Sequence, residues 1–288
     1  MWMSILNQLL QGVMVGGLYA LFALGLAISS GILRFVNVAH GDLIVMVSYL
    51  FLSLVTGLGL HPLLAAVLLL PLCFGGAWLL QRVLLHRVVG QGVLPVILVT
   101  FGLSVIVQNG LQGVYGADTR KVAALGFESA TWSLGGGVNI GALPLTIFVA
   151  AVLMIGGLDR FLYRTRRGAQ LRAIADDVQA ASLVGLPTQR LYGLAMGLVG
   201  LTVAVAASFM AVWTNFDPSA GPNRLLIAFE VVVLAGLGSL WGTLAGGILI
   251  GLAQTVGAQV DTAWQSLAGH LVFLAVFLVR PQGLFPKY

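Results

Sequence analysis

The chain alternates between long stretches without a charged residue and short segments where charge is concentrated. Residues 43–81 carry no Asp, Glu, Lys or Arg, and neither do residues 88–117, 129–158 and 191–216. A helix needs about 20 apolar residues to cross a bilayer core, so the first of these runs holds two crossings. The apolar residues come as continuous blocks, whereas an outer-membrane barrel would show alternating segments of about ten residues. The pattern predicts an all-α, polytopic membrane bundle with spans at residues 5–28, 43–60, 62–85, 93–115, 140–159, 190–214 and 263–280, and a composite element at 226–259. That gives eight or nine crossings in a single transmembrane domain over residues 1–288. The N-terminal apolar run lacks a basic lead-in and is followed by more membrane segments, so it reads as the first span and not as a cleaved signal peptide.

Two places interrupt the pattern. The stretch "RFVNVAHGDLIVM", residues 34–46, sets Arg34, Asn37, His40, Gly41 and Asp42 between two apolar runs. The stretch "AGLGSLWGTLAGG", residues 235–247, puts glycines at the centre of the composite element. As one helix that element would be about 50 Å long, against a hydrocarbon core of about 30 Å, so a broken or hairpin element is expected. Paired Gly-interrupted segments point to a transport path, because unwound backbone survives in a membrane only where protein or a water-filled cavity satisfies its polar groups. The pairs Gly12/Gly16, Gly193/Gly197, Gly242/Gly246 and Gly247/Gly251 have the spacing that lets two helices approach closely, and are read as packing positions.

Composition sharpens the picture. With 59% hydrophobic and 8% charged residues and a mean hydropathy of +1.02, the chain cannot be a water-soluble fold. Its net charge of +5 comes from basic residues in short inter-span segments, where they report orientation and not a nucleic-acid partner. Arg82 and Arg87 flank one such segment, and Arg160, Arg164, Arg166, Arg167, Arg172 and Arg190 crowd another. The positive-inside rule places both, including the loop at 159–190, in the cytoplasm. The loop at 116–139 and the N-terminus then lie outside. Cys73 stands alone and forms no internal disulfide. No metal-ligand cluster and no nucleophile–base pairing is visible, so no catalytic residue, metal or cofactor is expected in this chain.

The intramembrane polar residues are the candidates for a path: Asn37, His40, Asp42 and Glu230. Each also has a structural reading. Asp42 can cap a helix beginning at Leu43, which does not stop it lining a path. Asn37 can cap similarly or bond across helices, and a lone His40 is better read as hydrogen-bonded in place than as a proton carrier. An ionised Glu230 at the bilayer centre would cost about 2.5 to 3.5 kcal/mol, so a place near the interface, with Arg224 as its partner, is the favoured reading.

The loop at 159–196 is longer than a connection requires. From 169 to 184 the apolar residues Leu171, Ile174, Ala175, Val178, Ala181 and Leu183 recur at near-helical spacing until Gly185 and Pro187 stop the pattern. This predicts one helix lying across the membrane face, on lipid headgroups or in a partner's groove. Asp176 and Asp177 weigh against anionic headgroups.

Within it, "QAASLVG", Gln179 to Gly185, resembles the EAA-x-x-x-G signature through which ABC-importer permeases engage their ATPases, with Gln179 where the first Glu usually stands. "GGLYALFALGLAISSGILRFVNVAHGD", "FEVVVLAGLGSLWGTLAGGILIGL" and the terminal "VRPQGLF" resemble, in order and over nearly the whole chain, the LivH and LivM type of branched-chain amino acid permease. The length is closer to the LivH-like member. The resemblance implies a multi-pass protein of the bacterial inner membrane that takes branched-chain amino acids, or amides or urea, from an external solute-binding protein. It also implies a second permease subunit, identical or different, and cytoplasmic ATPases that dock at Gln179, Ala180, Ala181 and Gly185. No G-x-x-x-x-G-K-[ST] loop is present, so ATP would be used by those partners. The rival classes are an autonomous secondary transporter, which needs ion-coupling groups; a channel, which has no use for a long cytoplasmic helix; and a membrane enzyme.

Overall fold

A computed structural model describes residues 2–123, 126–133 and 139–285. These residues form helices α1 (Trp2–Ile28), α2 (His40–Leu52), α3 (Pro62–Val83), α4 (Val93–Tyr115), α5 (Ala142–Arg164), α6 (Arg166–Asp176), α7 (Val178–Leu183), α8 (Thr188–Trp213), α9 (Gly221–Ala235), α10 (Leu240–Val260) and α11 (Trp264–Val279). A short antiparallel ribbon joins β1 (Thr131–Ser133) to β2 (Asn139–Gly141). Seven of the described helical segments are long and apolar enough to cross a membrane. Helices α9 and α11, with 15 and 16 residues, are shorter than a full crossing. The composite element is broken at Gly236–Ser239 into α9 and α10, which fold back on each other; an ideal Cβ on Gly246 would lie 2.8 Å from the Val231 carbonyl.

Helix α1 is the hub, with 89% of its most apolar stretch buried. It lies antiparallel to α10 through glycines on both. An ideal Cβ on Gly16 would sit 2.5 Å from Ile248 Cα, and one on Gly251 would run into the Gly12 carbonyl. Lipid tails are as apolar as leucine, so such backbone approach, and not a hydrophobic drive, holds membrane helices together. Gly193 and Gly197 of α8 likewise receive Trp78 and Phe74 of α3. Gly16→Leu is therefore expected to lower the thermal unfolding midpoint in detergent by several degrees, from overpacking of about 1–3 kcal/mol. An unchanged midpoint would show that α1 and α10 are not in this contact. Helices α3 and α4 are peripheral and expose Leu63, Val67, Leu79, Leu94, Leu98 and Ile106, an apolar outer wall.

The two faces of the bundle can be told apart by contacts. On one, the Asn139 amide donates to Asn7 Oδ1 at 3.2 Å, and Arg120 pairs with Phe216 through both backbone bonds. Residues 124–125 and 134–138 of that loop lie outside the described residues. The other face is rich in arginine. There the Gly31 and Gly238 backbones touch, so the two Gly-interrupted segments, far apart in the chain, meet. The terminal residues Gly283–Phe285 close beside them, with Leu284 and Phe285 donating to the Leu234 and Ala235 carbonyls at 2.7 and 3.1 Å.

The helix expected across residues 169–184 is two helices. Asp177 adopts an extended conformation (φ −151°) between α6 and α7, and its carboxylate accepts from the Gln179 and Ala180 amides at 2.8 and 3.0 Å. A side chain that caps a new helix this well ends the old one, because its backbone leaves the helical region. Helix α6 buries Leu171 and Ile174 against the bundle, so that face is occupied by this chain's own residues.

Candidate functional site

Helix α1 does not end cleanly. It widens into a π-helical turn at Ser29–Leu33, and Arg34 then takes a left-handed conformation (φ 55°), the one non-glycine residue to do so among the described residues. The chain turns back and starts α2 inside the bundle. Asn37 makes this turn: its Oδ1 accepts from the Ala39 amide and its carbonyl from the His40 amide, both at 3.1 Å. Capping was expected of Asp42 with the helix starting at Leu43. The helix starts at His40 instead, so Asp42 lies in its first turn and its carboxylate is released for another partner.

His40 fixes the depth of this junction. Its Nε2 donates to the Phe22 carbonyl at 2.8 Å, and its ring lies against Gly25. Phe22 is nine residues, about 14 Å, from Gly31 at the arginine-rich face, and about 22 Å from Asn7 near the opposite one. The amino end of α2 is therefore well inside the span. Helix α9 begins at the same level. Gly41 abuts the Gly221 carbonyl and the Leu225 amide, and Gly221 abuts the Asp42 carboxylate, with no room for a Cβ on either glycine. Two helices, α2 and α9, thus bring their amino ends, each carrying about half a positive charge, to one buried carboxylate.

Asp42 also accepts from Gln108 Nε2 at 2.9 Å, and Gln108 donates to Ser104 Oγ at 3.2 Å. One turn further along α4, Thr100 Oγ1 accepts from the Val38 amide at 3.3 Å. Thr100, Ser104 and Gln108 were not among the sequence candidates. Their signal is a polar stripe at i, i+4 and i+8 in an otherwise apolar span, one face of a helix.

Of the four predicted path residues, Asn37, His40 and Asp42 come together, while Glu230 lies nine residues, about 14 Å, further along α9. All four are buried, between 1 and 3% exposed. Glu230 is not paired with Arg224, and its place along α9 puts it toward the arginine-rich face, five residues before the helix ends at Ala235. Its Oε1 meets His270 Nδ1 of α11 at 2.5 Å, and Arg224 instead lies over the Phe22 ring at 5.9 Å. The reason is that α9 begins at Gly221, five residues before the predicted element. Residues 224 and 230 then share one helix and fall about 120° apart around it, on different faces.

The predicted coupling residues lie on α7 and just after it. Gln179, Ala180 and Gly185 are exposed and Ala181 is buried; Leu183 and Val184 stand 88 and 77% exposed beside them. Gly185 has φ +81° and nothing within 4 Å of an added Cβ. A direct link runs from here to the junction. Arg34 Nη2 donates to the Asp176 carbonyl, the last of α6, at 2.9 Å, where a cation also suits the negative end of the helix. A cavity of about 550 Å³ lies between the π-helical turn, α5, α6 and the α9–α10 break, with Arg34, Arg172 and Gly238 in its wall. Among the described residues no group of His, Cys, Asp and Glu is placed to hold a metal ion.

The arrangement holds seven apolar spans, irregular backbone at mid-depth and an exposed element at one face, and the sequence agrees with it. Residues 8–279 match the family described as branched-chain amino acid transport system / permease component. The chain is 29% identical, over 98% of its length and 96% of theirs, to the high-affinity branched-chain amino acid transport system permease protein BraD of Pseudomonas aeruginosa. It is 28% identical, with the same coverage, to the corresponding protein LivH of Escherichia coli K12. A shorter match, 29% over 66% of the chain and 57% of the relative, is to the xylose transport system permease protein XylH of Haemophilus influenzae. The chain is thus a multi-pass membrane protein that belongs to the branched-chain amino acid transport permease family, a family of transport subunits and not of enzymes.

Proposed function

We propose that this chain is the inner-membrane permease subunit that carries branched-chain amino acids inward past the α2–α9 junction, driven by ATPase subunits that dock on α7. Asn37, His40, Asp42 and Glu230 line the path, together with Gln108 on α4. Gln179, Ala180, Ala181 and Gly185 form the docking surface. A second permease subunit and an external solute-binding protein complete the assembly, and ATP is hydrolysed by the partners.

The observation that carries this reading is the unbroken connection from α7 to the junction. Asp177 joins α7 to α6, Arg34 joins α6 to the π-helical turn, and six residues later α2 begins at His40. A closing motion at the docking surface has only this short, hydrogen-bonded route to cover before it reaches Asp42. In an autonomous transporter an exposed element of this kind would have no load to transmit.

The test is uptake of radiolabelled leucine into proteoliposomes holding the complete complex. Uptake is expected only with internal ATP and external leucine-loaded binding protein. Uptake by this chain alone, driven by a proton or sodium gradient, would contradict the proposal and favour a secondary transporter.

A further inference from the structure

At the arginine-rich face, the last turn of α3 and the first turn of α8 enclose a cavity of about 560 Å³, separate from the junction and from the Arg34 cavity. Its wall holds Gln81, Arg82, His86, Gln189 and Arg190, with Trp78 at one side, and no acidic residue. Gln81 is 1% exposed, yet neither its amide nitrogen nor its amide oxygen has a hydrogen-bond partner. Buried amides are almost always bonded, so an unpartnered one in a cavity wall calls for a partner from outside the chain, a water or a ligand. The Arg82 guanidinium lies over the Trp78 ring at 5.1 Å, which holds its charge at the edge of the cavity.

We propose that this cavity binds the phosphate of an anionic phospholipid, with Arg82 and Arg190 as the cationic clamp and the Gln81 amide as the buried donor. The site sits where a headgroup lies. It is at the basic end of two spanning helices, a tryptophan occupies the interfacial level, and Leu64, Val67 and Leu68, which fall on the same side of α3 as Trp78 and Arg82, are exposed further along it for the acyl chains. A free inorganic phosphate would satisfy the clamp but would leave that apolar face uncovered. The proposal requires only that α3 and α8 span the membrane and does not depend on the cargo.

The full chain, purified in neutral detergent, would be titrated with dioleoylphosphatidylglycerol and dioleoylphosphatidylcholine and read by native mass spectrometry. The anionic lipid is expected to bind at least roughly tenfold more tightly than the zwitterionic one. R82Q/R190Q should weaken it by about 25-fold, about fivefold for each arginine lost. Q81L, which leaves both charges in place, should weaken it as well and keeps the test open if the double variant fails to fold. Equal binding of the two lipids, or unchanged binding in either variant, would overturn the proposal. Displacement of the lipid by millimolar inorganic phosphate would make this a free-anion site. Loss of ATPase association in R82Q/R190Q with lipid preference intact would assign the pocket to the ATPase instead.

Discussion

Arg34→Gln is expected to uncouple the transporter: ATP hydrolysis by the assembled complex persists while leucine uptake falls at least tenfold. The arginine makes the connection between α6 and the turn that feeds α2, through a bond at 2.9 Å to the Asp176 carbonyl. A hydrogen bond from a charged donor is worth about 1.5–3 kcal/mol, or about 10- to 150-fold in the population of the linked state. Glutamine has neither the reach nor the charge to replace it. Arg34 also holds a left-handed backbone (φ 55°), which costs about 1–3 kcal/mol in a residue with a Cβ and persists only where the surroundings enforce it. Arg34→Gly would relax that strain but leave the link broken, so it should uncouple as well, whereas Arg34→Lys should retain part of the activity. Measuring uptake per ATP hydrolysed separates the two roles. A proportional loss of both activities would mark Arg34 as structural and not transmitting, and unchanged uptake would remove it from the route.

Gly185→Trp is expected to abolish capture of the ATPase subunits in pull-down while membrane insertion stays normal. Among the described residues no atom lies within 4 Å of an added Cβ, so the side chain leaves the backbone into open space. Two consequences remain: the residue at φ +81° loses its freedom, which distorts the end of α7, and the indole projects into whatever docks there. Gly185→Asn tells them apart, because asparagine tolerates the left-handed region while staying small. Near-normal association for Asn with none for Trp fits a docking surface. Normal association for Trp would show that α7 is not the contact.

The long elements were legible because their signals are long. Runs of charge-free residues marked the spans to within a few residues at α3, α4, α8 and α11, and the glycines at 235–247 announced the break between α9 and α10. The local features were less so. One aspartate decided that 166–183 is two helices, and the near-helical spacing of Leu171, Ile174, Val178 and Ala181 continues through it without a mark. The start of α9 was hidden because Pro222 and Arg224 read as the edge of a membrane segment, when they lie inside it. That shift moved Glu230 to a face where its partner is His270, forty residues away, a pairing with no local trace. The polar stripe of Thr100, Ser104 and Gln108 was legible in principle. It takes meaning only once the reversal at Asn37 points the amino end of α2 toward α4. The convergence of Gly31 and Gly238 belongs to topology alone: each glycine is ordinary in its own segment, and only the antiparallel seating of α1 on α10 brings them together.

All of this rests on the amino ends of α2 and α9 being buried in protein beside a route that water and solute reach. Asn223, exposed in the first turn of α9, reports on that directly. In a Cys73→Ala background, which removes the chain's single native thiol, Asn223→Cys would be treated with a membrane-impermeant hydrophilic thiol reagent in the intact complex. The cysteine is predicted to react from the external side, at a rate that changes when leucine-loaded binding protein and ATP are added. A cysteine that stays unreactive in every state of the cycle would mean that lipid, and not a solute path, faces this junction.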